Sequence, residues 1–393
     1  MRYRSRYADL ETAGGNRIVA SRPFGFAGAS ILAKSGFLDV GVCMRIGLIA
    51  SPFIPVPPTR YGGTELFVAN LAESLRRLNV HVSVYANGES TVRADVRWVY
   101  PKQDWPLPAE MSGLTKDLDH ISWSIKDATE GCDLVHVSNA LAVPFSRLSP
   151  LPFVCTLHHP CEPSITDLYE RYRTVTYVSI SHHQAAMHPT VASKVIHHGL
   201  DLSRYRFAEE KEPYLCFLGR ICPIKGTHHA IAIARQLGMP LKIAGEVQPI
   251  FQNYYDTQIR PYVDGRNVEF LGEADFSMKN DLLCRATALL FPIEWEEPFG
   301  LVMVEAMACG TPVIAFPGGA VEEIVADGIS GTICHSVEDA VQALRENHFE
   351  ARAVRDHAER HFSATAMARK YHHLYMSILN GGLSPVERGE EAA

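Results

Sequence analysis

Four side chains with a shared chemistry stand out in this chain of 393 residues. Glu297 and Glu305 lie eight positions apart in FPIEWEEPFGLVMVEAMACGTPVI, Phe291 to Ile314. Arg220 and Lys225 lie in GRICPIKG, after an apolar run, Tyr214 to Leu218. Two cations at the carboxyl end of a strand can neutralise a diphosphate. Pro298 should start a helix over 299–309, with Gly310 just past its end and Pro312 stopping continuation. The free N–H groups of Phe299, Gly300 and Leu301 would then face an anion, and Gly300 has no side chain to hold a ligand off. At about 1.5 Å per helical residue, Glu297 and Glu305 would stand roughly 12 Å apart. That span suits a long ligand such as a nucleotide sugar. A retaining glycosidase would need its two carboxyls about 5 Å apart.

Other candidates sit where strands end. Gly62 and Gly63, in Tyr61-Gly62-Gly63-Thr64, lie between the first strand and the first helix, where glycines let backbone N–H groups approach a phosphate. Neither G-K-[ST] nor G-x-G-x-x-G is present, so this is no Walker loop and no dinucleotide fingerprint. His158 ends the apolar strand Phe153–Leu157, with His159 as the competing neighbour and His136 as a second cleft candidate. Of the 18 histidines, five adjacent pairs occur. Adjacent residues do not share a helix or strand face, so a dihistidine is a poor chelate, and no metal site is expected.

The elements that must position these residues follow one pattern. Short apolar runs alternate with amphipathic stretches from Met44 to Ile196, and again from Tyr214 to Ala315. Two such runs imply an α/β protein of two doubly wound, Rossmann-like domains facing a central cleft, with ligands beyond the carboxyl ends of the strands. Strands are expected at 46–50, 80–85, 134–137, 153–157, 176–180 and 194–196, then at 214–218, 241–244, 268–271, 288–291 and 313–315. The charged stretch Glu209–Pro213 is read as a linker, and 364–380 as a final helix. Residues 1–43 lack a periodic pattern and a firm apolar core, and Met44 opens directly into a strand. The expectation is a disordered N-terminal extension or a start-site artefact.

Composition narrows the partners. A net charge of -7 gives no reason to expect nucleic acid, and leaves room for peripheral contact at the inner face of a membrane. Nine scattered cysteines without a C-x2-C pair fit a reducing cytoplasm. Runs of eighteen apolar residues are absent. The Pro-rich loop 51–61 and the region 100–130, with Trp105 and Trp123, are the expected acceptor surface.

The string EPFGLVMVEAMACGTPVI resembles the E-x7-E signature of the family 4 glycosyltransferases, retaining enzymes of the GT-B fold. GRICPIKG resembles that family's G-R-x4-K-G element, YGGT its N-terminal glycine loop, and TLH its strand-terminal histidine. The resemblance covers about residues 44–380. It implies an N-terminal acceptor-side domain over 44–208, a C-terminal nucleotide-sugar-binding domain over 209–363, and a crossing helix and tail over 364–393. Arg220 and Lys225 would bind the donor phosphates, Glu305 the ribose hydroxyls and Glu297 the donor sugar. His158 would lie near the reacting sugar, and Gly62 and Gly63 near sugar and diphosphate. Loops at Gly245 and Leu271 would meet the base. His198 stands where the family has Asn in N-G-x-D. The implied reaction moves a hexose, a UDP-sugar being the favoured donor, to an acceptor hydroxyl without a required cofactor or metal. A catalytically silent nucleotide-sugar-binding protein and a sugar-nucleotide epimerase of the same fold are the alternatives.

Overall fold

The computed structural model describes residues 44–60, 62–104 and 111–381. The readings placed on 1–43, Tyr61, Trp105 and the end of the tail lie outside the described residues. The first sheet is built by β1 (Arg45–Ile49), β2 (His81–Tyr85), β3 (Asp95–Arg97), β4 (Leu134–Val137), β5 (Phe153–Leu157), β6 (Thr176–Ser179) and β7 (Ser193–Val195). The strands run in the order β3-β2-β1-β4-β5-β6-β7, all parallel. Between them lie α1 (Gly63–Arg77), α2 (Met111–Gly131), α3 (Pro163–Glu170) and α4 (His182–Met187). β4 and β5 are buried along their whole length, as strands covered on both faces must be.

The second sheet repeats this logic. It contains β8 (Glu212–Leu218), β9 (Leu241–Ala244), β10 (Val268–Phe270), β11 (Ala286–Phe291), β12 (Val313–Ala315) and β13 (Gly331–Ile333), in the order β10-β9-β8-β11-β12-β13. Its helices are α5 (Thr227–Leu237), α6 (Gln252–Tyr254), α7 (Phe276–Arg285), α8 (Leu301–Ala308), α9 (Val321–Ile324), α10 (Val337–Glu346), α11 (Ala351–His361) and α12 (Ala364–Leu379). Between β9 and β10, α6 is one α turn inside an irregular stretch of 3-10 and π turns from Pro249 to Tyr262. The linker reading of Glu209–Pro213 is corrected at its end, because Glu212 and Pro213 already belong to β8. β3 and β13 are three-residue strands, too short to show a period in the sequence.

α12 returns to the first sheet. Met367, Ala368, Tyr371, Leu374 and Tyr375 share a core with Ile46, Leu48, Phe67 and Leu71. Tyr375 Oη lies 2.6 Å from His136 Nδ1, and His136 Nε2 lies 2.7 Å from Thr156 Oγ1, which meets Tyr371 Oη at 2.8 Å. This buried chain of polar groups ties the last helix to β4 and β5. It also corrects His136 as a cleft candidate: both ring nitrogens are engaged, and burial lowers its pKa to about 3. Among the described residues, no helix is long and apolar enough to cross a membrane.

Candidate active site

In each sheet the strand order reverses beside the first strand, between β1 and β4 and between β8 and β11. Ligand sites in such sheets gather at this switch point. A cavity of about 610 Å³ opens there, lined from both halves. The first half supplies Pro57 to Arg60, Gly62, Gly63, His158 and His198; the second supplies Gly219, Arg220, Lys225, Gly245, Glu297 to Leu301 and Glu305.

The stretch after β11 differs in one respect from its sequence reading. α8 starts at Leu301, and Gly300 is its N-cap with φ 85°. That left-handed conformation suits glycine and separates Pro298 and Phe299 from the helix. Only Glu305 of the two carboxylates is helical, so the helical ruler between them does not apply. The Phe299 side chain is buried in the second-sheet core while its residue still lines the cavity. The helix end is as expected. Gly310 N–H bonds Met307 O at 2.9 Å and Thr311 N–H bonds Ala306 O at 3.0 Å, a Schellman closure.

Each carboxylate is held in the same way. At Glu297, Lys225 forms an ion pair with Oε2, and Trp295 Nε1–H donates to the same oxygen at 3.1 Å. At Glu305, Lys279 forms an ion pair with Oε1, and the Tyr205 hydroxyl donates to the same oxygen at 2.9 Å. Both glutamates are buried, at 8% and 4% exposure. A lysine and an aromatic donor therefore fix one oxygen of each buried anion. Lys225 sits 4.5 Å from the Trp295 ring centroid, which adds a cation–π contact. Its loop turns at Gly226, φ 68°, where any Cβ would overlap the Pro292 carbonyl.

Of the adjacent histidines after β5, His159 is occupied: Nδ1 lies 2.7 Å from Pro160 O and Nε2 2.6 Å from Tyr169 Oη. Among the described residues His158 Nε2 is buried without a hydrogen-bond partner, and burial lowers the pKa of His158 to about 3. Both residues line the cavity. Leu271 does not. Its N–H still bonds Ile243 O at 2.8 Å, continuing the sheet, and its side chain packs on the core. After the turn at Gly272 it is Glu273 and Ala274 that reach the cavity. Trp123 packs edge-on against Tyr85, 5.8 Å between centroids, and is not part of the wall.

The sequence reading passed over Trp295, Lys279 and Tyr205. Lys279 lies in α7 and Tyr205 in the connection between the halves, and neither belongs to a motif. Trp295 stands inside the acidic loop and could have been found there, two residues before Glu297. Adjacent histidines do converge on one carboxylate here, contrary to the expectation. His228 and His229, in the first turn of α5, both turn towards Glu294, with Nε2 atoms at 4.0 and 3.0 Å. Across the halves, the Glu323 carboxylate accepts the N–H of His182 at 2.8 Å and of His183 at 2.6 Å, and lies 2.9 Å from His197 Nε2.

Comparison with known proteins places this geometry. The model of glycosyl transferases group 1 matches residues 202–351, and that of glycosyltransferase family 4 matches residues 61–204. The chain belongs to the family 4 glycosyltransferases, with the GT-B fold. This family 4 chain is 32% identical over 215 residues to a glycogen synthase of Mycobacterium tuberculosis, covering 49% of the chain and 50% of the relative. It thus spans about half the length of that curated relative. Among solved structures it is similar to AviGT4, a glycosyltransferase involved in avilamycin A biosynthesis. There the TM-score is 0.69 and the identity 27%, over 86% of this chain and 98% of the other. It also shares its fold with Anabaena HepE, solved in complex with UDP-glucose, with a TM-score of 0.67 and 18% identity over 85% of this chain and all of the other.

Proposed function

We propose that this protein transfers a hexosyl group from a nucleoside diphosphate sugar, with UDP-sugars favoured, to an acceptor hydroxyl with retention at the anomeric carbon. The observation that carries the reading is the pair of lysine-held glutamates on one cavity wall beside Arg220. Departure of a diphosphate builds negative charge on its oxygens, and preorganised cations and N–H dipoles stabilise it. Arg220, Lys225 and the free N–H groups of Leu301 and Val302 at the start of α8 supply those charges. The oxygen of Glu305 that Lys279 leaves open takes the ribose hydroxyls, and that of Glu297 takes hydroxyls of the sugar. Gly62 and Gly63 bring backbone N–H groups from the other side. Gly245 and the Glu273 turn border the base. The UDP-glucose held by HepE on the same fold supports the choice of donor. The Pro57 to Arg60 wall is where the acceptor approaches.

The test is a donor panel without and with candidate acceptor sugars, read by release of UDP or GDP. Turnover of a UDP-hexose, with an α-linked product from an α-linked donor, is the expected result. Tight donor binding with no turnover on any acceptor would make the protein a binding module, and interconversion of the donor sugar would make it an epimerase.

A further inference from the structure

Among the described residues, two clusters each bring a pair of histidines to one glutamate, outside the cavity lining. They differ in what the carboxylate is already doing. Glu323 accepts the backbone N–H groups of His182 and His183 and faces His197 Nε2, so its oxygens are taken. Glu294 stands between two imidazoles and makes no other side-chain hydrogen bond or ion pair among the described residues. His229 Nε2 lies 3.0 Å from its Oε1, and His228 Nε2 lies 4.0 Å from its Oε2. The histidines are half-buried and the glutamate is exposed, so a small ion can enter from solvent.

The three side chains are held in place by their surroundings. His228 Nδ1 lies 2.8 Å from Tyr254 Oη, which also accepts the His228 backbone N–H at 3.3 Å. With Nδ1 engaged, Nε2 is the nitrogen left to face Glu294. Metal-bound histidines usually have their other ring nitrogen held in this way. Burial lowers the pKa of His228, which favours the unprotonated ring that can bind a metal. The His229 ring packs on Phe316, 5.5 Å between centroids. The Glu294 N–H bonds Ile224 O at 2.9 Å, which joins the loop after β11 to the loop before α5.

The donor set defines the ion. Two imidazoles and one carboxylate suit zinc and its neighbours, whereas magnesium and calcium need a shell of oxygens. The three ligand atoms lie within 4.8 Å of one another. A tetrahedral zinc about 2.1 Å from each would want them roughly 3.4 Å apart, so binding draws the side chains in by about an ångström.

We propose that His228, His229 and Glu294 bind one zinc-class divalent ion, with water in the fourth position, and that the ion staples together the two loops that carry Lys225 and Glu297. His228 lies three residues after Lys225, and Glu294 three before Glu297. The ion does no transfer chemistry, since none of its ligands lines the cavity. The site stands or falls independently of the transferase reading.

The experiment is a calorimetric titration of untagged, EDTA-stripped protein with zinc, magnesium or calcium chloride. Wild type is compared with His229→Gln, Glu294→Gln, Tyr254→Phe and, as a control for the other cluster, His182→Gln. Wild type should bind one zinc and neither magnesium nor calcium. Zinc affinity should fall about 100-fold in His229→Gln and Glu294→Gln, and about 10-fold in Tyr254→Phe, which only orients a ligand. It should hold in His182→Gln. Hydrogen exchange of the Glu294 amide, bonded to Ile224 O, should slow with zinc in wild type. A wild type without zinc affinity, or an affinity unchanged in His229→Gln and Glu294→Gln, overturns the site. A loss confined to His182→Gln does the same and moves the ion to Glu323. Zinc binding that leaves the Glu294 amide unaffected overturns the staple. If His229→Gln fails to fold, Glu294→Gln decides, because it changes only an exposed carboxylate.

Discussion

The two halves that meet at the cavity handle buried acids in opposite ways. On the C-terminal wall, Glu297 and Glu305 are each matched by a lysine and an aromatic donor. On the N-terminal side, Glu65 in the first turn of α1 is 5% exposed and forms no ion pair among the described residues. Burial raises its pKa to about 7, countered only in part by its own backbone N–H. His158 and His198 are likewise held neutral by burial. One half therefore keeps its buried acids as paired anions, and the other keeps its buried acid and these histidines neutral.

The sharpest way to break this division is to remove the charge where it counts most. Glu297→Gln and Lys225→Ala should each lower kcat/KM by about 100- to 1000-fold, the cost of losing one preorganised transition-state contact. Circular dichroism should show both variants folded. A Lys225→Ala protein of wild-type activity would mean that the phosphate lies elsewhere.

How much of this was legible beforehand divides along the same line. The C-terminal wall could be read because Arg220, Lys225, Glu297 and Glu305 sit in short contiguous strings with fixed glycines and prolines. The two parallel sheets could be read because strands buried on both faces are continuous apolar runs. Lys279 and Tyr205 could not, since they reach Glu305 across 26 and 100 residues only after the chain folds. The start of α8 was misplaced because a proline is a good first helical residue in general, whereas the left-handed Gly300 delays the helix here. Leu271 was misread because its N–H still bonds the sheet, and the cavity is reached only by Glu273 and Ala274 beyond it.

Glu65 sharpens the comparison through pH. Its carboxyl is protonated up to about 7 in the folded chain but only to its usual 4.5 when unfolded. The folded state thus binds the extra proton between these values, and stability falls as pH rises through that window, by up to about 3 kcal/mol. Glu65→Gln should be neutral at pH 4 and stabilising at pH 8, raising Tm by several degrees. The N-terminal histidines act in the opposite sense. With folded pKa values near 3 for His136 and His158, their contribution is complete above 6.5 and is lost as pH drops towards 3. Melting followed from pH 4 to 8 should show a maximum that moves to higher pH in Glu65→Gln; an unmoved maximum would mean that Glu65 is ionised in its buried site.

The smallest effects belong to the two partners of Glu305, Lys279 and Tyr205, and they separate holding a carboxylate from doing chemistry. Lys279 meets Glu305 Oε1, the oxygen already shared with Tyr205. Lys279→Met removes the charge, keeps most of the chain volume, and leaves Tyr205 to orient the carboxylate. Binding of the nucleotide should weaken about 10-fold, because a buried Glu305 without its cation is left with one neutral donor to hold it. The loss should appear in KM and in UDP affinity, with kcat within a factor of about two, since ribose contacts are the same in ground and transition states. Tyr205→Phe should lose less than Lys279→Met, because it removes one neutral donor. If Lys279→Met instead lowered kcat at constant KM, Glu305 would belong with Glu297 and Lys225 in the reacting half of the site, and the division of labour along the C-terminal wall would have to be redrawn.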